Sequence, residues 1–149
     1  MMRLIYLAYN FVSFFIRPIT LGARVMMIRN REVLLVRQTY LNGWFMPGGG
    51  LKRGETPEQA ARREAREEVG AEVGELSLIG IYTHFENSRN DHIALFLCKD
   101  FELREKKDRE IAETRFFSLD ALPEGLVPGH RQRIENYRDG VETPRVGIW

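Results

Sequence analysis

The sequence predicts an α/β fold: one domain built on a mixed β-sheet with helices packed against it. Three observations lead there. Short apolar or alternating runs bounded by polar and glycine-containing segments read as strands at 23–28, 32–36, 76–85, 92–101 and 114–118. A segment with complete start and stop signals for a helix sits among them at 56–70, and a second helical pattern covers 129–138. Strands interleaved with helices in 149 residues imply helices layered on a sheet, with length enough for one substantial core.

Taken in order, the first segment is the unusual one. Leu4-Ile5-Tyr6-Leu7-Ala8-Tyr9 and Phe11-Val12-Ser13-Phe14-Phe15-Ile16 are strongly apolar, yet Arg3, Tyr6, Asn10, Ser13 and Arg17 recur at helical spacing. That spacing draws one narrow polar stripe along an otherwise apolar amphipathic helix over 1–17, which Pro18 ends. The run is shorter than the roughly 18 residues of a membrane-spanning helix, and no small-residue cleavage motif follows it. Three roles remain open: an extra helix docked on the core, a homodimer contact, or a peripheral membrane anchor. Two arginines alone give little attraction to anionic lipid.

The strands at 23–28 and 32–36 flank a turn at 29–31, with Asn30-Arg31 at its tip although the favoured glycine is missing. Trp44-Phe45-Met46 leads into the loop Pro47-Gly48-Gly49-Gly50. Beyond the first helix, 76–85 and 92–101 flank a polar turn at 87–91, and 103–108 is a charged connector. The strand at 114–118 runs into a helical turn at 119–122. After the last helix, the tail 139–149 reads as extended.

The run from Gly49 to Ala71, within GGLKRGETPEQAARREAREEVGA, carries the chemistry. Its glycines let backbone approach a ligand closely. Thr56 suits an N-cap, Pro57 the first helical position, Gln59 the partner position of a capping box, and Gly70 the C-terminal stop. On this helix Glu64, Glu67 and Glu68 stand at i, i+3 and i+4 and share one side. Like charges at that spacing cost an isolated helix about 0.2–0.5 kcal/mol per pair. Ala61, Ala65 and Val69 make the adjacent small apolar stripe that packs on a sheet. Arg62, Arg63 and Arg66 could neutralise the glutamates of an ordinary solvated helix. With the glycine loop, Glu55 and the cap all in register, the cluster reads instead as a site for a hard divalent cation, Mg²⁺ being the commonest that bridges carboxylates to phosphates.

Gly49-x5-Glu55-x7-Arg63-Glu64-Ala65-x-Glu67-Glu68-x-Gly70-Ala71 resembles the Nudix box of the Nudix hydrolase superfamily. Ala65 and Ala71 depart from it, since bulkier aliphatics are usual there. The resemblance covers about Leu21 to Tyr137, dividing the chain into 1–17, a Nudix-type domain at 21–138 and the tail at 139–149. It implies an α/β/α sandwich and a hydrolase that cleaves nucleoside diphosphates linked to another moiety, through water attack at phosphorus assisted by Mg²⁺ or Mn²⁺. It further implies Glu64, Glu67 and Glu68 as metal ligands, with the carbonyl of Gly48 or Gly49 beside them. Glu55 and Arg63 would brace the loop against the helix. Glu64, or a carboxylate beyond the box, would help deprotonate the water; Glu110 is the best-placed such residue and Glu113 the second.

The rest of the chain narrows partners. A formal net charge of +1 gives no electrostatic case for nucleic-acid binding. One cysteine, Cys98, within an apolar run reads as a small buried hydrophobe of a reducing cytoplasm. His84, His92 and His130 lack metal-ligand spacing among themselves. The side motifs of the superfamily's ADP-ribose, diadenosine polyphosphate, NADH, coenzyme A and RNA 5′-end groups are missing. That leaves a small nucleotide, a (deoxy)nucleoside triphosphate or a nucleotide sugar, as the expected substrate. Two alternatives stand beside it: a non-catalytic nucleotide-binding regulatory domain, which the intact carboxylate set argues against, and a membrane-surface hydrolase of a lipid-linked diphosphate, which only the segment 1–17 supports. Tyr40, Trp44, Phe45, His84 and Phe85 are candidates to stack on its base, although filling the core is the better expectation for any one of them.

Overall fold

The structure, a computed structural model, describes residues 19–86, 89–104 and 109–149. The amphipathic helix expected over 1–17 lies outside these residues. β1 (Ile19–Arg29) turns at Asn30 and Arg31 into β2 (Glu32–Gln38). Both turn residues adopt left-handed angles, φ 50° and 61°, as a two-residue hairpin turn requires, even without glycine. There follow β3 (Gly48–Gly50), α1 (Pro57–Val69), β4 (Ala71–Val73), β5 (Ser77–Glu86), β6 (Arg89–Cys98), β7 (Phe101–Leu103), β8 (Ile111–Ser118), α2 (Pro128–Arg138) and β9 (Arg145–Ile148).

The main sheet is mixed and runs β8-β2-β1-β6-β5-β9, with β3 also on β1. β1 pairs along one edge with β6 in parallel, from Ile19↔Asn90 to Met27↔Cys98. Its other edge is divided. Ile28 and Arg29 pair with β2, whereas Gly22, Ala23 and Arg24 pair with β3. Between those ends the strands part, and the chain before β3 fills the opening. Val25 N–H donates to the Pro47 carbonyl at 2.9 Å, and Val36 exchanges two 2.9 Å bonds with Phe45. The glycine loop is thereby part of the sheet rather than a strap across it.

Strand alternation distributes the core to two sides. Ala23, Val25, Met27, Leu34, Val36, Ala94, Phe96 and Cys98 face α1, which meets them with Ala60, Ala61, Ala65 and Val69. Met26, Ile28, Val33, Leu35 and Leu95 face the other way, toward Ile134 of α2, with Ile79, Tyr82 and Leu126 between. One helix on each face gives the expected α/β/α layering.

Several elements differ from the sequence reading. β3, β4 and β7 hold three residues each, too short for any periodicity to register. The connector expected at 103–108 is preceded by β7, which pairs with β4. At 119–122 the chain makes a turn, with Ala121 N–H donating to the Ser118 carbonyl at 3.1 Å, and Pro123 disfavours helical angles just before it. The extended tail contributes β9, an edge strand parallel to β5. Among the described residues no helix is long and apolar enough to cross a membrane.

α2 is fixed to the sheet chiefly through fully buried Ile134, with His130 beside it. Ile134→Ala is expected to lower the unfolding free energy by about 2–5 kcal/mol. Thr56→Ala, which removes only a cap, is expected to cost about 1 kcal/mol. Urea denaturation followed by circular dichroism measures both, and the reverse order would contradict this packing of α2.

Candidate functional site

α1 begins and ends where the sequence places it. Thr56 Oγ1 accepts the Gln59 N–H at 3.2 Å while Gln59 Oε1 accepts the Thr56 N–H at 2.9 Å, and Gly70 closes the helix at φ 67°. The four small or branched residues facing the sheet let the helix lie close to β1 and β3. That closeness brings its glutamates against backbone. A Cβ on Gly49 would sit 2.6 Å from Glu64 Oε1. One on Gly48, whose φ is +144°, would meet the Ala23 carbonyl oxygen at 2.1 Å. No side chain fits at Gly48, and one at Gly49 would displace the Glu64 carboxylate.

Arg63 organises the outer half of the site. Its Nε and Nη2 form a two-pronged pair with Glu55 at 2.7 and 2.8 Å, and Nη2 also donates to the Gly50 carbonyl at 3.0 Å. Nη1 donates to Glu64 at 2.5 Å and to Glu67 at 3.1 Å. Glu55 additionally accepts the Lys52 N–H at 2.9 Å. The Arg63 hydrogen bonds, followed by that of Lys52, lower the Glu55 pKa to about 2. The same carboxylate raises that of Arg63. Arg63, at the middle of α1, thus ties the helix to Glu55 in the preceding loop and to the end of β3 through charge-assisted bonds.

The inner half centres on Glu68. Its Oε2 accepts the Gly48 N–H at 2.8 Å and its Oε1 the Gln38 side-chain amide at 3.4 Å. Burial pushes the Glu68 pKa up to about 7; Arg24 and the Gly48 N–H pull it down, and the neighbouring Glu64 charge pushes it up again. Arg24 reaches in from β1, donating to the carbonyls of Met46 at 3.0 Å and Gly48 at 2.7 Å.

Glu110 comes in from the segment before β8, where its carbonyl accepts the Thr39 N–H at 2.8 Å. The adjoining Tyr40 has its pKa raised first by burial, then by the charges of Glu110 and Glu68, with Glu64 adding to them. Glu110, Glu68 and Glu64 thus each act on Tyr40. Glu113, one register away from it, is paired with Arg37 at 2.7 Å on the exposed strand surface. Of the aromatic candidates, Phe45 is buried edge-on to His130 and Trp44 packs edge-on to Phe117, so both fill the core.

The structure brings Gly48, Gly49, Glu55, Arg63, Glu64, Glu67 and Glu68 together, but not as a finished metal cage. Glu64 and Glu67 turn to Arg63 while Glu68 turns to the Gly48 amide. Among the described residues no three such side chains converge on one point. The donor set nonetheless suits a hard cation. It is all oxygen, it includes a partly buried carboxylate short of positive charge, and the Gly48 carbonyl keeps a second lone pair beside its bond to Arg24. Sequence reasoning missed Arg24 and Gln38. The available signals were a charge near the start of the apolar run from Ala23 to Ile28 and an amide at the end of an apolar strand; only the pairing of β1 with β3 and the burial of Gln38 give them meaning.

Comparison with known proteins agrees with this geometry. A NUDIX domain family model matches residues 18–137. An ADP-ribose pyrophosphatase of Methanocaldococcus jannaschii is 30% identical over 114 residues, 73% of this chain and 67% of that protein. An 8-oxo-dGTP diphosphatase of Proteus vulgaris is 32% identical over 97 residues, 61% of this chain and 87% of that protein. Among solved structures, a MutT NUDIX hydrolase from Burkholderia pseudomallei superposes with a TM-score of 0.72 at 25% identity, covering 79% of this chain and 97% of that one.

The raised pKa of Glu68 has a measurable sign. The folded protein holds this proton up to about pH 7, the unfolded chain only to the ordinary value of 4.5. Metal-free stability from this group is therefore greatest below the ordinary value and falls as pH rises through 4.5 to 7, by up to about 3 kcal/mol. Glu68→Gln should melt at a higher temperature than the native protein in chelator at pH 8, and close to it at pH 5. A difference that is the same at both pH values would contradict the burial of an ionisable group here.

Proposed function

Since the chain belongs to the NUDIX domain family, we propose that it is a divalent-metal-dependent pyrophosphohydrolase acting on a nucleoside diphosphate linked to a further group. The observation that carries this reading is the glycine strand seated against one helix face, with Gly49 beside the Glu64 carboxylate and the Gly48 amide bonded to Glu68. Glu64, Glu67 and Glu68, with the Gly48 carbonyl, are the residues that would hold Mg²⁺ or Mn²⁺. Bound there, the ion offsets phosphate charge and makes a water more acidic.

The remaining roles belong to the chain itself. Arg63 holds Glu64 and Glu67 on one side while anchoring to Glu55, so the carboxylates are positioned before substrate arrives. Arg24 fixes the direction of the Gly48 carbonyl. The Gly48 amide and Gln38 orient Glu68. Glu110, beside Tyr40, supplies a carboxylate outside the helix that can take the proton of the attacking water.

For the substrate, the reading is a (deoxy)nucleoside triphosphate or a nucleotide sugar. The relatives named for 8-oxo-dGTP and ADP-ribose support a small nucleotide, and a balanced net charge agrees with that scale of ligand better than with a polyanion.

A phosphate-release screen with Mg²⁺ and Mn²⁺ tests the proposal, using nucleoside triphosphates including the 8-oxo forms, nucleotide sugars and ADP-ribose, each with phosphatase treatment of the products. Turnover of one class is expected. Glu68→Gln and Glu67→Gln should each lower it by more than about 100-fold, and Arg24→Gln, which acts through a ligand's carbonyl, by about 10–100-fold. Nucleotide binding by calorimetry with no turnover in the whole panel would mean that the domain binds rather than hydrolyses.

A further inference from the structure

α1 covers only part of its face of the sheet, and the remainder carries large apolar side chains around the polar Thr83, His92 and Asn90. Strand pairing fixes which side chains share it. Ala23 aligns with Ala94, Ile81 and Val146, and the next row carries Leu21 and Ile148. Beyond them stand Ile19 and Phe85, both paired with Asn90 of β6. Ala23 and Ala94 belong to the core under α1, so all six larger residues point to the α1 side. They are open: Val146 is 87% exposed, Ile19 74%, Ile148 63% and Phe85 61%. Of the eight large apolar side chains exposed among the described residues, these six and Leu78, which pairs with Phe96, lie on this face, leaving Leu103 as the exception. The exposure is thus one patch and not scatter, and a patch of this kind marks a contact surface.

The chain carries its own occupant. Residues 1–17 are joined through Pro18 directly to Ile19, the first residue of the open face. As a helix they would extend about 25 Å, whereas the four strands β1, β6, β5 and β9 are about 15 Å across from first axis to last. One segment is therefore long enough to cover the patch, and no linker is needed to reach it. Its composition fits as well. Leu4, Phe11 and Phe15 lie opposite the polar stripe of Arg3, Tyr6, Asn10, Ser13 and Arg17, so one side can be buried while the other stays in water. With only two arginines, the segment lacks the basic face that would favour anionic lipid.

We propose that residues 1–17 pack as an amphipathic helix over the exposed face of β1, β6, β5 and β9, completing the layer that α1 begins. The inference does not depend on the hydrolase activity. It concerns what closes the core.

Asn90, exposed at the rim of the patch, gives a reporter position in the full-length chain. Asn90→Cys labelled with a benzophenone maleimide and irradiated is expected to cross-link mainly to peptides from 1–17, with Cys98 buried and slow to label. In a mixture of ¹⁵N-labelled and unlabelled protein, every such adduct should carry a single isotope composition. Mixed-isotope adducts would assign the face to a second copy and overturn the proposal, as would adducts that leave out 1–17. A second readout uses Ile81→Cys. Its reaction with a bulky maleimide should be at least about tenfold slower than in a chain also carrying Leu4→Asp, Phe11→Asp and Phe15→Asp, because the site must open first. Equal rates would overturn the proposal, and so would protection that requires added anionic vesicles.

Discussion

The absence of clearance around Gly48 and Gly49 is the constraint on which the site depends. On one side a Cβ would meet the β1 backbone at 2.1 Å, and on the other a Glu64 oxygen at 2.6 Å. The chain can pass there only without a side chain at Gly48, and only without one at Gly49 if Glu64 is to keep its place. Once it does, the Gly48 amide lies within hydrogen-bond reach of Glu68, its carbonyl within reach of Arg24, and the Gly50 carbonyl within reach of Arg63. Fully buried alanines on α1 make the same approach from the helix side. Bulkier residues at those positions would lift the helix and lengthen each of these contacts.

Charge is divided unevenly across this narrow gap. Arg63 carries the burden of Glu55, Glu64 and Glu67 at the outer end, where bidentate geometry with Glu55 makes the interaction strong. Glu68 is deeper and receives one good amide bond and a long one, with a guanidinium nearby that is already committed to two carbonyls. A largely desolvated carboxylate so incompletely compensated is costly to ionise. The arrangement therefore holds stability in reserve, to be regained when positive charge arrives. A helix stabilised only for itself would not place a third glutamate there.

The two faces of the sheet are closed by different means. Under α2 the closure is aromatic and specific: His130 accepts the Met46 N–H at 3.0 Å and packs edge-on against Trp149, which in turn meets Tyr82. Burial keeps the His130 pKa far below its ordinary value, so the ring stays neutral and keeps Nδ1 as an acceptor. Through that bond α2 and the end of the chain support the residue that precedes Pro47 and the glycines. The α1 face relies on small residues for its close approach to the site, and small residues cover little area. α1 therefore does not reach the far half of that face.

What the sequence determined by itself was local. The cap at Thr56, the stop at Gly70 and the shared side of Glu64, Glu67 and Glu68 follow from chain spacing and from the hydrogen-bonding habits of single residues, so they were legible without coordinates. The long strands were legible through alternation, and the turn at Asn30-Arg31 through its position between them. Tertiary structure decided the rest. Arg24 and Gln38 become part of the site only because β1 splits its edge between β2 and β3, a pairing that no nearby residue encodes. The nearness of Glu110 and the outward pairing of Glu113 depend on the register of β8 against β2, which shifts between Arg37 and Gln38. The acidity of Glu68 depends on burial, and burial belongs to the assembled layers rather than to any segment of the chain.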